Sequence, residues 1–406
     1  MKLRFPLPRW PGVQVIALLA LTVLGADRLA AGSPATPDVT VPARMQRFVD
    51  EGAISGAVTL VARHDRVLAL AAVGVSDLAT QRPMRKDDLF WIASMTKPMT
   101  AVAVMMLADE GRLSVDDPVE KHLPEFHNPW LKVTGSETGM TLKRPARPIT
   151  VHDLVTHTSG IGDVPAPRPD ASLAELVMAC AQQPLRFEPG TRWEYANAGI
   201  NTLGRIVEVV SGEPFAAFLQ HRLLTPLHMR DTTFWPTPAQ VRRLAQAYKP
   251  RNGGGLERTD IYFIQGSLSS RRRTAFPAGG LFSTASDVAQ FYQMMLNRGV
   301  GHGHRLLSEQ GVAEMTRTQT GDIKTGFVEG MSWGLGFQVV KAPQGVTAML
   351  SSGTFGHGGA YGTQSWADPA KDLVLVMMIQ RAGLPNGDAS DMRRAFQETA
   401  VEAWGR

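Results

Sequence analysis

Strand-like runs occur near the two ends of this 406-residue chain, and the residues between them read as helix. That partition constrains the fold more than any other feature. Residues 56–62 and 67–75 are β-rich and joined by the polar turn Arg63-His64-Asp65-Arg66, which predicts a hairpin, with a short helix at 42–52 before it. From about 120 to 275 the pattern is helical segments (150–156, 172–182, 198–211, 214–224) broken by Pro/Gly loops. Ser283-Thr284-Ala285-Ser286-Asp287 predicts the start of a helix running to Leu296; strands are expected at 333–340, 346–350, 362–366 and 373–379, and a closing helix at 392–404. The economical assembly is an antiparallel sheet built from both ends, flanked by the terminal helices, with the helical middle as an all-α lobe. The expected fold class is therefore α/β (α+β), with one lobe from about 42–118 and 277–406, the other from about 119–276, and a cleft between them.

The chemistry is sought first at Phe90-Trp91-Ile92-Ala93-Ser94-Met95-Thr96-Lys97-Pro98. Apolar positions after Ser94 recur near the 3.6 period until Gly111, so Ser94 is expected to head a buried helix. Lys97, three residues on, shares its face. A serine hydroxyl gains a nucleophile's strength from a neighbouring base, and an alkoxide gains from a helix N-terminus. A chain this long yields S-x-x-K about once by chance, so the motif needs company. Tyr195, followed two residues later by Asn197, supplies it: a phenol near an ammonium can serve as a general base, and an amide can orient a carbonyl. Thr354-Phe355-Gly356-His357-Gly358-Gly359-Ala360-Tyr361-Gly362 places small residues beside an expected edge strand, whose N–H groups could bind an oxyanion.

Residues 1–31 read as a secretory signal, with Lys2, Arg4 and Arg9 before an apolar run from Val13 to Ala26 and small residues at Ala30 and Ala31. The apolar run is shorter than the ~20 residues needed to span a bilayer, so cleavage and a periplasmic or secreted address are expected, after a leader at 32–41. The formal net charge is +5; the signal's four cations and one anion account for three of these, leaving +2 and no electrostatic case for nucleic acid. Arg271-Arg272-Arg273 is read as a solvated loop. Cys180, the single cysteine, allows no internal disulfide, and with none near the cleavage region no lipid anchor is expected; it reads as core.

Together these pieces resemble the class C β-lactamase-like serine hydrolases, a group that includes DD-carboxypeptidases and family VIII carboxylesterases. The resemblance runs across about 42–400, through Leu113 to Val119, Leu154-Val155-Thr156-His157-Thr158-Ser159-Gly160-Ile161 and Pro277-Ala278-Gly279-Gly280-Leu281. It implies an α/β sandwich with an all-α lobe, Ser94 as acylated nucleophile, Lys97 and Tyr195 sharing the proton transfers, and Asn197 on the substrate. It further implies an oxyanion hole from the backbone N–H groups of Ser94 and Ala360. The usual Lys-Thr-Gly third motif is replaced by His357-Gly358-Gly359; a literal Lys324-Thr325-Gly326 precedes the expected strand where the family's motif follows it, so Lys324 is read as a loop charge. The implied substrate is a small ester, amide or β-lactam, with short neutral esters favoured and peptidase or β-lactamase activity as the alternative. No cofactor or metal is implied.

Two rival motifs fail on context. Gly330-Met331-Ser332-Trp333-Gly334 matches the nucleophile elbow, but a strand follows Ser332 and no acid-then-histidine order can be built after it. His302-Gly303-His304 is a pair in a Gly-rich loop without an acidic partner nearby. Loops at 127–148 and 251–276 are expected to shape the pocket.

Overall fold

The computed structural model describes residues 40–133, 141–166, 168, 170–261, 264 and 266–405. The expected signal lies outside the described residues. Helix α1 (Val41–Asp50) is followed by β1 (Gly56–Ala62), β2 (Val67–Asp77) and β3 (Arg82–Pro83), then by α2 (Thr96–Asp109). Helices α3 (Val151–Val155), α4 (Leu173–Ala181), α5 (Asn197–Ser211) and α6 (Ala285–Leu296) come next. The chain closes with β4 (Met331–Trp333), β5 (Gln338–Val340), β6 (Phe355–Gly358), β7 (Gln364–Asp368), β8 (Leu373–Met378) and α7 (Asp391–Trp404).

Among the described residues these eight strands form one sheet in the order β4-β5-β6-β7-β8-β1-β2-β3, all pairs antiparallel, so both ends of the chain do meet in it. Its central strands alternate between two cores: Val374, Val376 and Met378 face the cluster shared with α2 and α6, while Leu373, Leu375 and Met377 face α1 and α7. Because both faces are covered, β8 reads as a continuous apolar run rather than an alternating one. Helix α2 is buried all round from Thr96 to Leu107, as expected of a helix enclosed by other elements.

Three expectations need correction. The strand expected at 333–340 is a tight hairpin, β4 turning into β5, because Gly334 and Gly336 (φ +82°) reverse the chain. The segment at 346–350 holds a 3₁₀ turn over Gly345–Thr347, closed by reciprocal bonds between Gln344 and Thr347 that outcompete the mostly apolar run from Val346 to Leu350. The strand carrying His357 is an edge only at its end: β6 lies between β5 and β7, but β5 pairs with Phe355 and Gly356 and not with His357 or Gly358, which line the cavity. Within the Arg271–Arg273 run, Arg271 and Arg272 are exposed as expected of a solvated loop, whereas Arg273 is buried and donates to the carbonyls of Phe234 and Leu268.

The β4–β5 turn bears on the helix behind Ser94. Gly336 donates its N–H to the Val155 carbonyl, and a Cβ there would lie 2.3 Å from the Ala101 Cβ of α2. Gly336→Ala combines a left-handed backbone penalty with overpacking, so it is expected to cost about 2–4 kcal/mol, read as a lowered urea midpoint at unchanged m-value.

Candidate active site

Ser94 sits in a 3₁₀ turn, Ala93–Met95, immediately before α2, rather than in the helix itself. Ala93 is held at φ +46°, a left-handed conformation that a residue with a Cβ adopts only under constraint. The constraint comes from Pro277-Ala278-Gly279-Gly280-Leu281. Ile92 N–H donates to the Leu281 carbonyl (3.0 Å), Trp91 Nε1 to the Gly279 carbonyl (2.8 Å) and Thr100 Oγ1 to the Pro277 carbonyl (2.7 Å). Thr96 Oγ1 donates to the Ala93 carbonyl (2.7 Å) and closes the turn.

Lys97 is fully buried, and its amine has three oxygen neighbours: Ser94 Oγ at 3.0 Å, Asn197 Oδ1 at 2.8 Å and the Ala278 carbonyl at 2.6 Å. As an ammonium it can donate to all three. As a neutral amine it can still donate to the amide and carbonyl oxygens, which are acceptors there, and turn its lone pair to the Ser94 hydroxyl. Burial lowers its pKa to about 7, partly opposed by the Asp163 carboxylate, so both states are populated near neutrality.

Tyr195 precedes α5, with its ring 4.7 Å from Lys97 Nζ. It packs against His157 (4.6 Å), Phe327 (5.0 Å), Trp333 (6.0 Å) and His357 (6.1 Å). His157 is buried at φ +61° and accepts the Ala196 N–H on Nδ1 while its carbonyl accepts from Glu194. It therefore holds both sides of Tyr195's backbone; burial, then the charge of Lys97, keeps its imidazole neutral.

His357 also lies beside this centre. Its Nδ1 donates to the Gly358 carbonyl (2.7 Å), which leaves Nε2 a lone pair; burial, then Lys97, lowers the pKa to about 4. A Cβ on Gly358 would be 2.3 Å from Asp388 Oδ1, and one on Gly359 2.1 Å from Thr363 Oγ1. The two glycines are thus required by packing, and a buried carboxylate fills the space of a side chain at 358. Asp388 accepts from Gln338 Nε2 (3.2 Å) and Gln364 Nε2 (3.0 Å), with buried Arg393 donating to its carbonyl.

Ser94, Tyr195, Asn197, His357, Gly358, Gly359 and Ala360 all line one cavity of about 650 Å³, and Lys97 lies beneath it. Asn197 was expected on substrate; its amide meets protein at both ends, Oδ1 on Lys97 and Nδ2 on Asp163 (3.2 Å). The pocket's shape comes from 163–166, Phe276, Phe327 and 384–388 as well as Ile264, whereas none of the described residues of 127–148 lines it. Cys180 is core, as expected, and its outer side forms part of the cavity wall. Lys324 is exposed and outside the lining, and Ser332 is buried in β4 against Thr320 Oγ1. Sequence reasoning missed Asp163, Asn201 and Asp388; only Asn201 carried a local signal, being one helical turn after Asn197, and it accepts the Ala278 N–H (3.1 Å). Among the described residues no group of side chains is arranged to hold a metal ion.

A family model described as Beta-lactamase matches residues 41–400. Esterase EstB of Burkholderia gladioli is 32% identical over 364 residues, spanning 82% of this chain and 87% of its own. Penicillin-binding protein 4 of Amycolatopsis lactamdurans is 33% identical over 297 residues, 72% of this chain and 71% of its own. Among solved structures, EstCE1, described as a hydrolase with promiscuous acyltransferase activity, superposes with a TM-score of 0.72 at 26% identity, covering 89% of this chain and 97% of that one.

The pH dependence follows from the buried amine. A base whose folded pKa is depressed is neutral, and able to take the Ser94 proton, above that pKa. Inactivation by an uncharged fluorophosphonate should therefore fall about tenfold per pH unit below about pH 7 and level off above it, measured from pH 5 to 9. His357, neutral above about pH 4, should add no limb in that range.

Proposed function

Since this chain belongs to the β-lactamase family of serine hydrolases, we propose that it is an exported carboxylesterase that turns over short-chain neutral esters through an acyl-enzyme on Ser94. Ser94 Oγ attacks the ester carbonyl carbon while its proton passes to the Lys97–Tyr195 pair. The backbone N–H groups of Ser94 and Ala360 receive the developing oxyanion, the C–O bond to the alcohol breaks, and the proton leaves with the alkoxide. Water then repeats the sequence on the acyl carbon and regenerates Ser94. The support is geometric: the Lys97 amine lies 3.0 Å from Ser94 Oγ and 4.7 Å from the Tyr195 ring, all three beside one cavity, and the amine is poised at neutral pH. Export to the periplasm or beyond rests on the pattern of residues 1–31 alone.

The observation that carries the substrate class is the corner formed by His357, Gly358 and Asp388. Its polar groups facing the cavity are a neutral imidazole and a buried carboxylate, whose amide donors are already taken. A substrate carboxylate placed there meets a neutral imidazole and a carboxylate already paired with the buried Arg393 guanidinium (3.8 Å), and no cation left to bind it. Losing a hydrogen bond to a charged group costs about 1.5–3 kcal/mol, or roughly 10- to 150-fold in kcat/KM. Neutral esters never needed that contact.

Two measurements test this. Lys97→Ala and Tyr195→Phe should each lower kcat by at least about 10², with the double variant hardly worse than the poorer single one, because members of one proton-transfer unit are not additive; near-wild-type turnover by Tyr195→Phe would remove Tyr195 from the unit. Across p-nitrophenyl butyrate, nitrocefin and a D-Ala-D-Ala peptide, kcat/KM should be highest for the ester. Nitrocefin matching it would make the protein a β-lactamase, and a lead for the peptide would make it a DD-peptidase.

A further inference from the structure

Asp163 lies in the loop that follows the His157 turn, opens onto the cavity, and bonds to residues at the start of α5. Its Oδ2 accepts from Asn197 Nδ2 (3.2 Å) and its Oδ1 from the Ala198 N–H (2.6 Å). The helix needs such a partner, because its N-cap residue, Ala196, has no side chain that can accept. A loop carboxylate that only capped α5 would need the Ala198 bond alone. The second bond does something else: an asparagine amide has two chemically opposite ends, and whichever way it is turned decides what it offers Lys97.

We propose that Asp163 is a positioning residue for the nucleophile's base: by taking Asn197 Nδ2, it turns Oδ1 toward Lys97 and so holds the amine in register with Ser94 Oγ, while its charge biases the proton on that amine. The inference rests on Lys97 acting as the base. The groups around Lys97 make the charge effect readable. Ser94, Asn197 and the Ala278 carbonyl are neutral, the Tyr195 ring lies 4.7 Å from Nζ, and His157 and His357 are both kept neutral by burial. Asp163 is the carboxylate acting on Lys97, and it favours the ammonium.

The test is the pH profile of kcat/KM on p-nitrophenyl butyrate for wild type, Asp163→Asn, Asp163→Ala and Lys97→Ala, with Tm and a fluorophosphonate titration of active sites for each. Asp163→Asn removes the charge and keeps one acceptor oxygen of the two, so the new amide can still hold Asn197 Nδ2 at the expense of the Ala198 cap. Its acidic limb should move to lower pH by about half a unit or more, because the carboxylate that favours the ammonium is gone, with the alkaline plateau within about threefold of wild type. Asp163→Ala also frees the amide to turn, and its plateau should fall at least about tenfold per active site. An unmoved limb in Asp163→Asn, with only Tm reduced, would make Asp163 a helix cap and overturn the proposal while leaving the base assignment intact. A Lys97→Ala variant that keeps both activity and the acidic limb would instead overturn the base assignment, and the proposal with it.

Discussion

The site depends on a lysine amine kept out of water at the bottom of a cavity. Burying an ammonium without partners costs several kcal/mol, and the protein can bear it here only because three oxygens surround Nζ. Those oxygens come from three distant parts of the chain: the turn before α2, the first residue of α5 and the Pro277–Leu281 segment. Each must be in place for the others to be tolerable, so the polar contacts at Lys97 also specify how the helical middle docks onto the sheet. The same burial that makes the amine expensive makes it a base at neutral pH.

The supports behind that centre follow a common logic. Thr96 and Thr100, on the buried face of α2, use their hydroxyls to tie the helix to backbone carbonyls at 93 and 277, which is how hydroxyls survive in an apolar core. Asn201, one turn into α5, holds the N–H of the residue whose carbonyl takes Lys97. The His157 turn grips the backbone on either side of Tyr195. Each loop of the site is thereby referred to a helix rather than left to its own flexibility, as precise positioning requires.

Much of this was legible in the sequence because it is local. The S-x-x-K spacing places a base beside a hydroxyl by helical geometry, and the β-rich runs at both chain ends imply one sheet whatever their order. What was not legible is non-local. Nothing near Asp163 or Asp388 marks either carboxylate; their meaning lies in partners 34 and 24 residues away. That β6 is an edge only at His357 and Gly358 could not be read, because pairing order is a property of the whole sheet, and the 345–347 turn was misread because a short apolar run has no period to distinguish turn from strand. Lys324 shows the converse error avoided: the letters of a motif carry no chemistry when the loop that bears them lies outside the cavity.

Three basic side chains, Lys97, His157 and His357, share one buried volume, and the charge of Lys97 lowers the pKa of both imidazoles. A water-poor centre of this kind tolerates about one positive charge, and the arrangement assigns it to the amine. The lysine has the highest intrinsic basicity, three oxygen acceptors and a carboxylate within reach; His357 spends its one N–H on a backbone carbonyl, and His157 accepts a backbone N–H on Nδ1. The histidine in place of a third-motif lysine thus removes a cation that a substrate carboxylate could have used, and it also spares Lys97 a like charge that would have depressed its basicity further. On the proposed reading, substrate preference and the strength of the base are coupled through the same residue.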